Sequence, residues 1–131
     1  MRKYLSDMTA EFDVDYSGVV VSLNDYKTLH WRKLKPLYDG VKLEFLSLIR
    51  KEKPVPMAWI ELRVYHNTKY DLDNLVGIVK PFVDVLRREK VIRDDNRRYW
   101  DYLSVQYTPQ LEKNTIKFII TGEVAGKQTG A

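Results

Sequence analysis

The sequence predicts a single α+β domain in which a mixed β-sheet packs against two helices, in the order β-α-β-α-β-β. The 131 residues suit one domain with one core, and we find no internal repeat or low-complexity tract. Segments that alternate apolar and polar residues are interrupted by two segments with apolar residues at helical spacing. We therefore expect one domain over residues 1–131, with a core at about 12–122 and a disordered tail at 125–131.

Alternating apolar and polar residues predict four strands. The first covers residues 11–23 and the second covers residues 58–65. The last two, at 99–107 and 115–121, are separated by a turn-like segment, which indicates that they form an antiparallel pair.

Helical spacing predicts the two helices. The first follows a basic loop at 24–35, begins near Pro36, and ends before Pro54. Its expected buried face consists of Leu37, Val41, Phe45, Leu48 and Ile49. The second covers about 73–90, and Pro81 should bend it because the proline ring crowds the carbonyl of Gly77. Its expected buried stripe consists of Leu75, Ile78, Val79, Phe82, Val85 and Leu86.

Composition excludes several kinds of site. The net charge of +4 permits an anionic partner such as nucleic acid. The absence of cysteine excludes disulfides, thiolate zinc sites and cysteine nucleophiles, and the two histidines, His30 and His66, are too few and too distant for a His-rich zinc site. A catalytic metal would therefore be held mainly by carboxylates, which favours Mg²⁺ or Mn²⁺. We find no signal peptide or membrane span, so we expect a cytoplasmic protein with no membrane partner.

The densest group of acids lies where the second strand leads into the second helix. Asp71 and Asp73 flank one residue there, and Asp94 and Asp95 follow the helix. If the chain brings these carboxylates together, their repulsion requires a cation, and oxygen ligands favour Mg²⁺. Helix capping by Asp73 or Asn74 and a plain turn at Asp94 explain the same pattern. Spacing alone leaves both interpretations open.

Basic residues surround this acidic group. Six lie between positions 87 and 98: Arg87, Arg88, Lys90, Arg93, Arg97 and Arg98. An acidic metal site within a basic rim suits phosphodiester hydrolysis, because the rim attracts the DNA backbone and the metal binds the phosphate to be cut. For any single one of these side chains, a solvated helix face is the simpler explanation.

At 71–95 the sequence resembles the RusA family of Holliday junction resolvases, which are small metal-dependent endonucleases. The shared pattern is D-x-D-N at 71–74, K-P-x-x-D-x-L at 80–86, and D-D at 94–95. An upstream S-x-N-x-Y segment at 22–26 also matches, and the resemblance covers about residues 12–122. In the family the lysine usually comes three residues after the asparagine, where this chain has Gly77. Lys80 is therefore either one helical turn deeper or restored to its usual place by a bulge.

The resemblance implies a catalytic group of Asp71, Asp73, Asp95 and Lys80. It implies Mg²⁺, for which Mn²⁺ could substitute, held by Asp71, Asp73 and Asp95, with Asp94 as a further ligand or neighbour. The DNA-binding residues would be Asn24, Lys27, Arg32, Lys33, Lys69, Asn74, Arg93, Arg97 and Arg98. The family acts as a homodimer that cuts four-way DNA junctions, which implies a bacterial cytoplasm and a phage or prophage gene.

Other residues carry weaker signals. His30 and His66 are candidates for a general base, although a bystander or phosphate contact is the better interpretation. Tyr99 and Trp100 could stack on unpaired bases, but packing within the sheet is favoured. Asp84 should pair with Arg87 or Arg88 at helical spacing. Two rival functions remain, namely a branched-DNA-binding protein that does not cleave and a plain structural module whose acids are caps.

Overall fold

The computed structural model describes residues 3–4, 9–18, 20 and 30–125, and it confirms the predicted α+β class. Two helices and a mixed sheet form two layers. The elements are β1 (Lys3–Tyr4), β2 (Thr9–Tyr16), α1 (Trp31–Glu52), β3 (Met57–Asn67), α2 (Leu72–Arg88), β4 (Trp100–Tyr107) and β5 (Thr115–Val124). Apart from the short β1, this is the expected order. The part of the first predicted strand at 19 and 21–23 lies outside the described residues.

The sheet has the strand order β1-β2-β5-β3-β4. Only β3 and β4 pair in parallel, whereas the other neighbours are antiparallel. The prediction that the last two strands pair with each other is wrong, because β3 lies between them. The connection at 108–114 crosses the end of β3 and is fastened to it. The amide of Thr108 donates to the His66 carbonyl at 2.7 Å, and the amide of Asn114 donates to the Asn67 carbonyl at 2.7 Å.

Helix α1 begins earlier than its sequence indicates. Its N-cap is His30, whose ring nitrogen Nδ1 accepts a hydrogen bond from the amide of Arg32 at 3.2 Å. The basic segment from residue 31 is therefore helical, not a loop, and Pro36 lies inside the helix. The face that packs on the sheet consists of Leu34, Tyr38, Val41, Phe45 and Ile49. Leu37, expected on that face, is 41% exposed because this stripe continues back to Leu34 instead.

Helix α2 matches its prediction within two residues at each end, and every residue of the expected stripe is buried. The helix continues through Pro81, which has Gly77 one turn before it. After the last strand, the amide of Ala125 donates to the Pro56 carbonyl at 2.9 Å. The expected disorder is therefore wrong for Ala125, whereas residues 126–131 lie outside the described part of the chain.

Four aromatic rings join the two layers. Phe82 of α2 stacks on Phe118 of β5, with ring centroids 4.2 Å apart. Phe45 of α1 meets both rings edge-on at 5.0 and 5.3 Å, and Tyr16 of β2 lies 4.5 Å from Phe45. All four side chains are at most 1% exposed. The cluster therefore fixes both helices on the same face of the sheet.

Gly122 in the middle of the sheet provides a test of this packing. A Cβ added there would lie 2.2 Å from the Trp59 carbonyl oxygen, which is backbone and cannot move aside cheaply. We expect Gly122→Ala to lower the free energy of unfolding by about 1–3 kcal/mol in urea denaturation.

Gly40 supplies the matched control, because it lies in α1 with nothing within 4 Å of its added Cβ. Gly40→Ala should raise the free energy of unfolding by about 0.5–1 kcal/mol, since alanine is the better helix former. A Gly122→Ala protein as stable as the parent would contradict the described strand register.

Candidate active site

The loop between β3 and α2 is held by a buried histidine. His66 is 7% exposed, and its Nδ1 is hydrogen-bonded to the Thr68 hydroxyl at 2.9 Å. The same hydroxyl oxygen accepts a bond from the amide of Tyr70 at 3.2 Å. Burial lowers the pKa of His66 below its usual range. These contacts point to a structural role for His66 and fix the chain that leads to Asp71.

Asp71 and Asp73 occupy the first turn of α2. Asp71 is the N-cap residue, yet its side chain makes no capping hydrogen bond, and Asp73 follows within the first turn. Capping by Asp73 or Asn74 is therefore wrong as an explanation for this acidic pair. Both residues are exposed. Their carboxylates lie at the helix end where the partial charge of the backbone is positive, which favours anionic groups.

Lys80 and Asp95 line one pocket although fifteen residues separate them in the chain. The pocket lies between α2 and β4 and has a volume of about 380 Å³. It begins at Val76 and Gly77, which are one helical turn beyond Asp73. The structure thus brings two of the four expected catalytic residues to the same cavity. The other two lie at the adjacent end of the same helix.

Asp94 instead organises the turn that precedes β4. One of its carboxylate oxygens accepts a bond from the amide of Asp95 at 2.8 Å, and the other accepts one from the Asn96 side chain at 3.4 Å. Its nearest cation is Arg87, at 3.9 Å. Arg87 lies fourteen residues beyond Asp73, which is roughly 21 Å along the helix axis. Asp94 therefore belongs to the far end of α2, and the turn interpretation is correct for it.

The expected gathering of Asp71, Asp73, Asp94 and Asp95 is not formed in the described part of the chain. Across these residues, no three His, Asp or Glu side chains are placed to hold a metal ion together. Asp94 lies beside Arg87 near the end of α2, whereas Asp71 and Asp73 are at the start of that helix. As ligands, the four carboxylates have the oxygen chemistry that Mg²⁺ prefers.

Lys80 is one turn deeper in the helix than the resembling family places its lysine. The helix is α-helical from Leu72 to Arg88, so no bulge restores the usual position. The Lys80 ammonium is 4.0 Å from a carboxylate oxygen of Asp84, and the lysine side chain is 67% exposed. Most of its hydrogen-bonding capacity thus remains available to an anion from solvent.

Asp84 links Lys80 to the opposite helix. Its side chain is 12% exposed, and its second carboxylate oxygen accepts a hydrogen bond from the Tyr38 hydroxyl of α1. The predicted pairing with Arg87 or Arg88 is wrong, because residue 84 faces α1 and those arginines point to solvent. The sequence offered one signal for this contact, since Tyr38 continues the apolar spacing of α1.

The expected DNA-binding residues are distributed over several elements. Lys69 is exposed before α2, Asn74 is half-exposed in its first turn, and Arg93, Arg97 and Arg98 are exposed in the turns before β4. Arg32 and Lys33 are exposed at the start of α1. Asn24 and Lys27 lie outside the described residues. Arg93 precedes Asp95 in the chain and Arg97 and Arg98 follow it, so exposed cations lie on both sides of the pocket residue Asp95 in the sequence.

A β-bulge in the pairing of β3 with β4 places two apolar residues of β4 in the pocket. The alternation of apolar and polar residues does not predict that these two residues share a face. Ile60 and Leu62 are two apart on β3, whereas their partners Trp100 and Leu103 are three apart on β4. The extra residue allows both partners to face the helices. Tyr99 and Trp100 pack against the core, as the favoured interpretation has it, and Trp100 also lines the pocket.

The hydrogen bond between Tyr38 and Asp84 yields a prediction about stability. Tyr38→Phe should lower the free energy of unfolding by about 1–3 kcal/mol, because a nearly buried carboxylate loses a donor. Tyr107→Phe is the control, since Tyr107 is 56% exposed and should change stability little. Equal effects in urea denaturation would show that the interhelical bond does not form.

His66 yields a prediction about pH. Because its pKa is lowered in the folded state, the unfolded chain takes up this proton first as the pH falls. Its contribution to stability is therefore complete above about pH 6.5 and is lost below it. Between pH 7 and 5, the free energy of unfolding should fall more steeply in the parent than in His66→Gln. Parallel profiles would contradict burial of the imidazole.

Comparisons with known proteins assign no family. No family model and no curated protein matches the chain. Among solved structures it is similar to a chain of the "Crystal structure of HypE-HypF complex", with 8% sequence identity and a TM-score of 0.43. The match covers 95% of this chain and 36% of that one, so the chain spans about a third of its length. Within the described residues, no helix is both long and apolar enough to cross a membrane.

Proposed function

We propose that the protein is a Mg²⁺-dependent, structure-selective endodeoxyribonuclease that acts on branched DNA, in the manner of the RusA resolvases it resembles. One observation carries the proposal. Lys80 and Asp95 line the same pocket. Lys80 belongs to α2, and the first turn of that helix presents Asp71 and Asp73 to solvent. A cation and several carboxylates on one exposed surface, within a basic rim, are what phosphodiester hydrolysis uses.

In this proposal Asp71, Asp73 and Asp95 would hold the Mg²⁺, whereas Asp94 shapes the turn that carries Asp95. When bound, Mg²⁺ supplies charge that polarises the scissile phosphate and activates a water molecule. Asp95 lies in the segment between α2 and β4, which belongs to no helix or strand. Its approach to the first turn of α2 therefore requires no element to unfold.

The protein's own cations bind and orient the DNA. Arg93, Arg97 and Arg98 are exposed and attract the phosphate backbone. Lys80 lines the pocket, and its ammonium would stabilise the negative charge that develops on the phosphate during attack. The side-chain amide of Asn74 donates to a phosphate oxygen or orients a carboxylate. Asp84 keeps Lys80 extended along the helix surface.

Paired cuts on opposed strands require two such sites, so the proposal includes a homodimer with two-fold symmetry. It also places the protein in the bacterial cytoplasm, encoded by a phage or prophage gene. Both statements follow from the resemblance at 71–95 and not from the described contacts.

A second candidate is a branched-DNA-binding protein that does not cleave. The separation of Asp94 from the first turn of α2 favours it, as does the deeper position of Lys80. The basic surface around β4's first residue is unaffected by either feature. This candidate keeps junction binding and lacks metal-dependent nicking.

Replacement of one carboxylate distinguishes the two candidates. We expect the parent to nick a labelled four-way junction with Mg²⁺ but not with chelator. Asp73→Asn should slow nicking at least about a hundredfold and retain junction binding, because a ligand charge is lost while the basic surface remains.

Asp39→Asn is the matched control. Asp39 pairs with Lys35 on the exposed surface of α1 at 2.6 Å, outside the proposed site, and its removal should leave nicking unchanged. Junction binding without nicking in any divalent ion would overturn the nuclease and support the second candidate. No preference for branched over linear DNA would overturn both.

A further inference from the structure

The pocket between α2 and β4 has apolar walls that the proposed hydrolysis does not use. Val76, Val79 and Val83 form a stripe along one side of α2. Trp100 and Leu103 of β4 form the opposite wall. Val76 is 37% and Leu103 36% exposed, so apolar surface stays in contact with water at the entrance. Such surface within a cavity is typical of a binding site.

The tryptophan wall has a fixed orientation. The Trp100 indole N–H donates to the Tyr102 carbonyl oxygen at 3.0 Å, within the same strand. The ring is also packed against the core. Gly77 adds no side chain to the helix side of the cavity. A cavity with an aromatic wall held in one orientation suits a planar ligand that stacks.

The two charged groups of the pocket are of opposite sign. Asp95 disfavours an anionic group on its side, whereas Lys80, 67% exposed, favours one. The turns before and after Asp95 carry three further exposed cations, Arg93, Arg97 and Arg98. A ligand that fits this arrangement has a planar apolar part and a negative charge beside it.

We propose that this pocket accepts the base of one nucleotide, unstacked from branched DNA, while Lys80 contacts an adjacent phosphate. The inference rests on the proposed function and names the part of the DNA that the same surface binds. The volume of about 380 Å³ lies within the range of about 300–1,000 Å³ of small-ligand pockets. Removing a base from the stack costs a few kcal/mol and costs least where pairing is weakened, as at a branch point.

The test is a double-mutant cycle between protein and DNA, carried out in chelator so that no cleavage is needed. Val76→Phe fills the entrance of the pocket and should fold, because residue 76 is on the helix surface. In the DNA, single abasic sites are placed in turn at the nucleotides that flank the crossover of a four-way junction. Thermal unfolding of each variant confirms its fold.

We expect Val76→Phe to weaken binding of the intact junction about tenfold, in line with the stacking of one base. When the abasic site replaces the nucleotide whose base occupies the pocket, Val76→Phe should weaken binding less than twofold. The phenylalanine then has no base to exclude. Leu43→Phe is the control. Leu43 is 64% exposed on α1, outside the pocket, and its substitution should cost nothing with either DNA.

Each other outcome is decisive. A Val76→Phe penalty that is equal at all abasic positions would overturn the base pocket while leaving junction binding intact. A change of oligomeric state in Val76→Phe would overturn it in favour of a second protein copy as the occupant. Absence of junction binding in the parent would overturn the proposed function itself, and with it the pocket. If the Val76→Phe penalty depends on one base but the parent does not nick the junction, the base pocket is supported and only the nuclease activity is overturned.

Discussion

The contact on which the rest of this structure depends is the stack of Phe82 on Phe118, closed by the edge of Phe45. It joins α2 to the centre of the sheet and α1 to both. Because these rings are fully buried, α2 cannot rotate without opening the core. The side of α2 that carries Val76, Val79 and Lys80 is thereby fixed towards β4 and solvent. Every candidate functional residue of the helix lies on that side or at its first turn.

The fixed rotation of α2 also explains why the exposed Lys80 side chain starts from a defined position. Phe82 faces the sheet, Asp84 faces α1 and Lys80 faces the pocket, all within four residues. The Tyr38–Asp84 bond connects the two helices beside the aromatic cluster. Packing of α1 therefore influences the position of the Lys80 ammonium through one carboxylate. A change in the core can then reach the proposed site without touching it.

The periodicity of the sequence predicted the fold class and the periodic parts of the fold. The spacing of Leu75, Ile78 and Phe82 determines the buried face of α2, and the structure agrees. The strand order was not predictable, because the turn at 108–114 signals a reversal but not that β3 lies between its two strands. The start of α1 was missed because histidine is an unusual cap. Trp100 and Leu103 were missed as neighbours because a bulge breaks the period of two.

The three-residue displacement of Lys80 has two structural consequences that act together. It moves the cation from the first turns of α2 to the rim of the pocket, and it leaves Gly77 where a lysine side chain would otherwise stand. Gly77 and Lys80 both line the cavity, so a small residue and a cation stand one helical turn apart along it. Under the proposed function, this arrangement places an apolar slot beside the cation that would contact phosphate, which suits an opened branch point better than a closed duplex.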